Sequence, residues 1–253
     1  MTKPKDSFWT PINDLLPRVG LVQEGRLQIF IFALNALADE LLLRTILKRN
    51  NRKESWLKST FRSGLSFCAR ISWALAATSA FYYREPEQTL LGRDAEFFYA
   101  PADGKVVAIE QVEELNFIQG QALRITLAIG PLALHILRAP CSGRIEYIFV
   151  EQNAKDWTKY IGLRDSQGRK FLLGQVTSQR RGWKLLRLLG SPGPHSTILT
   201  AGQQIQQNDK IGVAAWGWRT QVTLTIPVET KFELLLRQGQ PTQAAMTVLG
   251  RVV

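Results

Sequence analysis

The hydrophobic pattern of this chain changes period near residue 83, and that break limits what it can fold into. Upstream the pattern is helical. "LQIFIFALNALADELLLRTILKRNN" (27–51) is apolar on most faces, interrupted by Asp39 and Glu40. "GLSFCARISWALAATSAFYY" (64–83) is the most apolar stretch, interrupted by Arg70. From residue 97 onward, short alternating runs are broken by Gly, Pro and Asn-Asp signals, which predicts strands. The candidates are "KVVAIEQV", "ALRITLAIG", "LALHILRA", "GRIEYIFV", "KFLLGQV", "KIGVAAW" and "QVTLTIPVE", with hairpin turns at "DSQGR" (165–169) and "QQNDKIG". The expected architecture is α+β. N-terminal membrane-interface helices occupy 1–83, and a β-rich, sandwich-like domain occupies 84–253.

Charge decides how the helical part is read. The formal net charge is +11, which attracts an anionic partner, with nucleic acid and acidic lipid as the first candidates. Arg44, Lys48, Arg49, Arg52, Lys53, Lys58 and Arg62 lie between the two apolar stretches, and Glu54 is the only acid from Arg44 to Arg70. Apolar helical surface beside dense cations suits an interfacial anchor, and each Lys or Arg near an anionic leaflet adds about 1 kcal/mol of attraction. The uninterrupted run from Ile71 to Tyr83 falls short of the roughly 20 apolar residues that span a bilayer. The expected partner is therefore an anionic membrane surface. An ordinary helical hairpin with solvated charges is the competing reading. Nucleic acid is not expected, because the cations flank apolar helices and no aromatic-basic stacking motif occurs. Cys68 and Cys141 fit buried small hydrophobes in a reducing compartment. "MTKPKDSFWTPINDLL" lacks the apolar core of a secretory signal, so a peripheral location on the cytoplasmic face of the cell membrane is expected.

The strand region holds a local echo. "APADGKVV" begins at Ala100 and "APCSGRIE" at Ala139, both fitting A-P-x-x-G-[KR]-[IV]. Proline followed two residues later by glycine makes a tight turn, and the β-branched residue starts a strand. "FYYREPEQ" (81–88), "APADGKVV" (100–107), "LALHILRAPCSGRI" (132–145) and "GQQIQQNDKIGVAAWGWRTQVTLTIP" (202–227) follow in that order. Together they resemble the phosphatidylserine decarboxylase family in its short bacterial and archaeal form, from about residue 64 to the end.

The resemblance implies unusual chemistry. In that family a serine after glycine attacks the peptide bond before it, splits the chain and leaves a pyruvoyl group at the new N-terminus. That carbonyl forms a Schiff base with the amine of phosphatidylserine and takes up electrons as carbon dioxide leaves. The Asp of P-A-D-G and a His near the R-A-P turn activate the serine or handle the proton. Here these positions are Asp103 and His135. Without the resemblance, Asp before Gly is an ordinary turn residue and a lone strand His a structural group.

The family's Gly-Ser corresponds in "AAWGWRT" to Gly217-Trp218. An indole has no hydroxyl to attack a carbonyl. The expectation is a phospholipid-binding homologue of phospholipid metabolism that forms no pyruvoyl cofactor and holds no metal. Other departures agree. "EQNAKDWTKYIGL" stands where the family has an N-E-R-N type segment, and "GQVTSQRRGWKL" resembles Q-I-A-G-x-x-A-R-R-I with Ser178 for the glycine. One alternative restores an active decarboxylase making phosphatidylethanolamine. "RLLGSPGPHST" contains Gly190-Ser191, a tripeptide context that some members cut, although Pro192 follows the serine. Arg138, Arg180 and Arg181 are candidate phosphate contacts, since guanidinium pairs bidentately with phosphate oxygens; solvated surface charge is the competing reading. Partners implied are an aminophospholipid, and a second copy of the chain or an active paralogue.

Overall fold

A computed structural model describes residues 23–48, 56–84, 96–130, 133–153, 156–178, 199–214 and 220–252. The chain divides into two compact units, Met1–Glu87 and Gln88–Val253.

The first unit is built on two long helices, α1 (Gln23–Lys48) and α2 (Trp56–Tyr82). Residues 49–55 join them, and so short a connection reaches less than about 30 Å, whereas 26 helical residues extend about 39 Å. The two helices therefore run antiparallel. Their buried positions are small: Ala36 on α1, and Ala69, Ser72, Ala76 and Ser79 on α2. The spacing of three and four residues on α2 makes one stripe. Asn35 Nδ2 donates to Ser72 Oγ at 2.9 Å, and Trp73 Nε1 donates to Glu40 Oε1 at 2.9 Å. The large apolar side chains point the other way. Leu27, Ile31, Leu34, Leu41, Phe61 and Phe67 are all exposed. Cys68 shares this outward face instead of being buried, whereas Cys141 in the second unit is buried. Among the described residues no helix is long and apolar enough to cross a membrane.

The second unit is mostly one large, curled antiparallel sheet. Its strands are β2 (Gly104–Glu114), β3 (Gly120–Ala128), β5 (Gly143–Gln152), β6 (Asp156–Arg164), β7 (Lys170–Ser178), β8 (Gln204–Ile205), β10 (Gln221–Pro227) and β12 (Pro241–Thr242). They lie in the order β12-β2-β3-β10-β7-β6-β5-β8. β1 (Phe97–Tyr99), β13 (Val248–Val252) and β11 (Phe232–Leu234) form a small sheet, and β4 (Ile136–Arg138) with β9 (Lys210–Val213) forms another. Phe98, Leu137, Ile211 and Leu249 from the small sheets share one core with Ile125, Leu163, Leu173 and Leu224 from the large one.

The strand order reads as two mirrored halves, and the Ala-Pro echo is their sequence trace. β1 pairs with β13 with a register shift at Phe98/Tyr99, and β4 pairs with β9 with the same shift at Leu137/Arg138. β2–β3 and β5–β6 carry matching bulges at Val106/Ala108 and Ile145/Tyr147. The turns grip each other symmetrically. Tyr99 N donates to the Pro140 carbonyl at 3.1 Å, and Arg138 N to the Pro101 carbonyl at 2.8 Å. The Ala100 carbonyl accepts from Ala245 N and the Ala139 carbonyl from Asn208 N, and both donors have positive φ, 63° and 68°. Gly104 and Gly143 are required at the echo because a Cβ there would strike the partner-strand carbonyl of Ala128 or Arg164. The half spanning β4 to β9 is inserted between β3 and β10 of the other. Leu173 of β7 faces Leu224 of β10 where the halves meet.

Candidate functional site at the head of β10

Hydrogen bonding brings the predicted residues to one end of the sheet. His135, one residue before β4, is buried, and its carbonyl accepts from Ala214 N at 2.6 Å. Strand alternation places its side chain on the side of Leu137, toward the shared core. Ala214 ends the descending chain of β9. Thr220 begins the next described stretch, fully buried, and its carbonyl accepts from Ile129 N at 3.0 Å. The ends of the AAWGWRT segment are thus pinned, one to His135 and the other to the end of β3. Asp103 stands just before β2, whose Lys105 pairs with Ala128 of β3. The three features lie around the same strand ends.

Asp103 also has a plain structural task. Its Oδ1 accepts from Ala244 N at 2.7 Å. At the equivalent place in the other half, Ser142 Oγ accepts from Gln207 N at 2.9 Å. The equivalent of His135, in the half that carries Asp103, is Glu96, whose carbonyl accepts from Val252 N at 2.9 Å. Asp103 and His135 therefore come from different halves, and the mirror-related pair is Ser142 and Glu96. Arg138 Nη1 donates to the Asn208 carbonyl at 3.0 Å, so part of its guanidinium braces the turn before β9. Gly217, Trp218, Gly190, Ser191, Arg180 and Arg181 lie outside the described residues. Among the described residues no cluster of His, Cys, Asp and Glu suits a metal ion.

A cleft of about 810 Å³ opens at the far end of β3 and β10, lined by both signs of charge. It is the mirror image of the site. Its lining residues Glu96, Gln121, Arg169, Lys170, Pro227 and Val252 correspond across the halves to His135, Trp157, Thr220, Gln221, Val176 and Ala214.

Sequence reading did not find a polar group on β6 and β7 beside this site. Trp157, Lys159, Ile161 and Leu163 alternate on the core face of β6, opposite Thr177, Gln175, Leu173 and Phe171 of β7. Trp157, Lys159, Gln175 and Thr177 are all buried. Burial alone pushes the Lys159 ammonium down to about 8, because a low-dielectric setting disfavours its charged form. The usable signal is the Ala-Pro echo, which sets Lys159, Gln175 and Thr177 against apolar counterparts once both halves are aligned.

A family profile described as phosphatidylserine decarboxylase matches residues 75–250. The chain belongs to the phosphatidylserine decarboxylase family. Curated relatives bearing the name phosphatidylserine decarboxylase proenzyme agree. The protein from Desulfotalea psychrophila is 26% identical over 208 residues, covering 77% of this chain and 90% of the relative. That from Symbiobacterium thermophilum is 28% identical over 203 residues, covering 72% and 86%. That from Carboxydothermus hydrogenoformans is 28% identical over 178 residues, covering 68% and 78%. The match begins within α2 and runs through the sheet unit as far as residue 250 in β13, so the Asp103 turn, His135 and the segment entering β10 all belong to the part shared with the decarboxylases.

Proposed function

We propose that this chain is a phospholipid-binding member of the phosphatidylserine decarboxylase family that forms no pyruvoyl group. The observation that carries the reading is Gly217-Trp218, standing in the sequence where the family pattern has Gly-Ser. Family members depend on a pyruvoyl made from that serine. Tryptophan supplies neither the attacking oxygen nor the carbon skeleton, so the residues at this bond do not fit the group. Asp103 and His135 do not replace it. A positioned acid or base contributes about 10²–10⁴-fold, against the 10⁶–10¹⁷-fold of enzymes in general.

The helical unit supports a lipid-facing role. A pair of helices that packs through Ala and Ser while Leu, Ile and Phe face outward has its apolar surface on the outside, where an acyl boundary buries it. Arg44, Arg62 and Arg70 lie on the same helices and suit an anionic leaflet. The lipid expected is an aminophospholipid, met at the cytoplasmic face of the membrane.

Liposome flotation of the full chain tests this. The protein is expected to float with vesicles containing phosphatidylserine, releasing no carbon dioxide from them. Phe67→Glu with Ile71→Glu should lose flotation at an unchanged unfolding temperature, since both side chains are exposed, 63% and 43%. A wild-type chain that stays at the bottom of the gradient contradicts the lipid reading. Carbon dioxide release contradicts the loss of activity.

A further inference from the structure

We infer that Trp157, Lys159, Gln175 and Thr177 form an oxyanion-binding subsite beside the head of β10, taking a phosphate or carboxylate group. The first observation is chemical. Trp157 Nε1, Gln175 Nε2 and Thr177 Oγ1 are buried with no hydrogen-bond partner. Indole N–H and amide NH₂ only donate, and the hydroxyl can donate. Buried donors left unmade forfeit their full desolvation, and native interiors rarely tolerate several together. An ammonium stands among them, so all four groups call for the same kind of occupant, one rich in acceptor oxygens and negative charge.

The second observation is geometric. Lys159 pairs with Gln175 and Trp157 with Thr177 across β6 and β7, so the four side chains occupy two adjacent rows on one sheet face. β10 lies on the other side of β7, with Val222 opposite Gln175 and Gln221 opposite Val176. Thr220, the next residue back, therefore stands alongside Thr177. The subsite is one strand from the segment that enters β10, and Asp103 lies two strands away on the opposite flank. The cleft at the mirror position carries Gln121, the counterpart of Trp157, and Glu96, the counterpart of His135, on one wall system.

The third observation is an internal control. In the other half, the counterparts of Lys159 and Gln175 are Leu123 and Ile226, which pair with each other in the same way. The counterpart of Thr177 is Val228. The fold accepts an apolar pair at this place, so the polar set is not needed to build the sheet. Burial as the cause of the lowered Lys159 basicity agrees that no carboxylate among the described residues neutralises it.

The source of the anion, a phospholipid headgroup or a free anion, rests on the phospholipid reading, and the experiment separates the two. The full chain is titrated calorimetrically at pH 7 with inorganic phosphate and with dihexanoylphosphatidylserine below its micelle concentration. Lys159→Leu and the double variant Lys159→Leu/Gln175→Ile are run alongside. The wild type is expected to bind at least one ligand, and both variants to bind it at least tenfold more weakly while unfolding cooperatively at no lower temperature. Lipid binding alone assigns the anion to a headgroup. Phosphate binding alone keeps the subsite and removes its link to phospholipid. Affinities unchanged in both variants, or no binding of either ligand to the wild type, overturn the proposal.

Discussion

Lys159 is the residue at which local rules and the fold disagree most. It occupies a core-face position of β6 that alternation assigns to an apolar side chain, and it lowered the apolar signal enough that "DWTKYIGLR" was not expected as a strand. Its folded-state basicity, about 8 against an ordinary 10.5, has a consequence for stability. The unfolded chain binds more protons than the folded one between those two values, so stability rises with pH across that window. Below pH 8 the buried ammonium costs about 3 kcal/mol. Urea unfolding of the wild type should show greater stability at pH 10 than at pH 7.5, relative to Lys159→Leu, in which this rise is absent. Equal pH dependence in the two proteins would remove Lys159 as the cause. Trp218 is the opposite case. The proposal built on it needs only the chemistry of an indole, which carries no hydroxyl.

Individual elements were legible to the degree that their cause is local. The turn at 165–169 is one such case. Asp165 Oδ1 accepts from Gln167 N and Arg169 N, each at 2.9 Å, and Gly168 takes φ 80°. The β2–β3 hairpin hides a stronger device. Glu114, buried at the end of β2, accepts from the backbone N–H groups of Asn116, Phe117 and Ile118 at 2.9, 2.9 and 2.6 Å. Burial raises its pKa, but the backbone donors outweigh burial and hold the carboxyl below its ordinary value. Such a group adds stability above its unfolded pKa and loses it as pH falls through the folded one. Glu114→Gln should cost about 1–3 kcal/mol at pH 7 and flatten the loss of stability on acidification. A variant as stable as the wild type at pH 7 would show that the loop holds without the carboxylate. The short strands β1, β8 and β12 were less legible, because two or three residues carry no periodicity. Their positions follow from pairing with distant segments.

At the scale of the whole molecule, the α+β division was legible from the change of period, and the duplication only as an eight-residue echo. Sequence similarity between the halves has faded elsewhere, while bulges, positive-φ donors and exchanged turn hydrogen bonds persist, since they depend on backbone geometry more than on side-chain identity. Neither the insertion of one half into the other nor the subsite on β6 and β7 can be read without that pairing. Of the candidate site, the sequence offered Asp103 and His135, which the fold places just before β2 and just before β4. The outward apolar face of α1 and α2 was expected as helical apolarity, but its small-residue interior came only with the helix pairing.

The central claim is that this chain does not cut itself to make a pyruvoyl group. Intact mass of the purified full-length chain, with both termini identified, tests it most directly. A single species near 28.6 kDa with ordinary termini is the result expected. Two fragments, the smaller beginning with a pyruvoyl group at position 191, would contradict it and return the chain to the active decarboxylases.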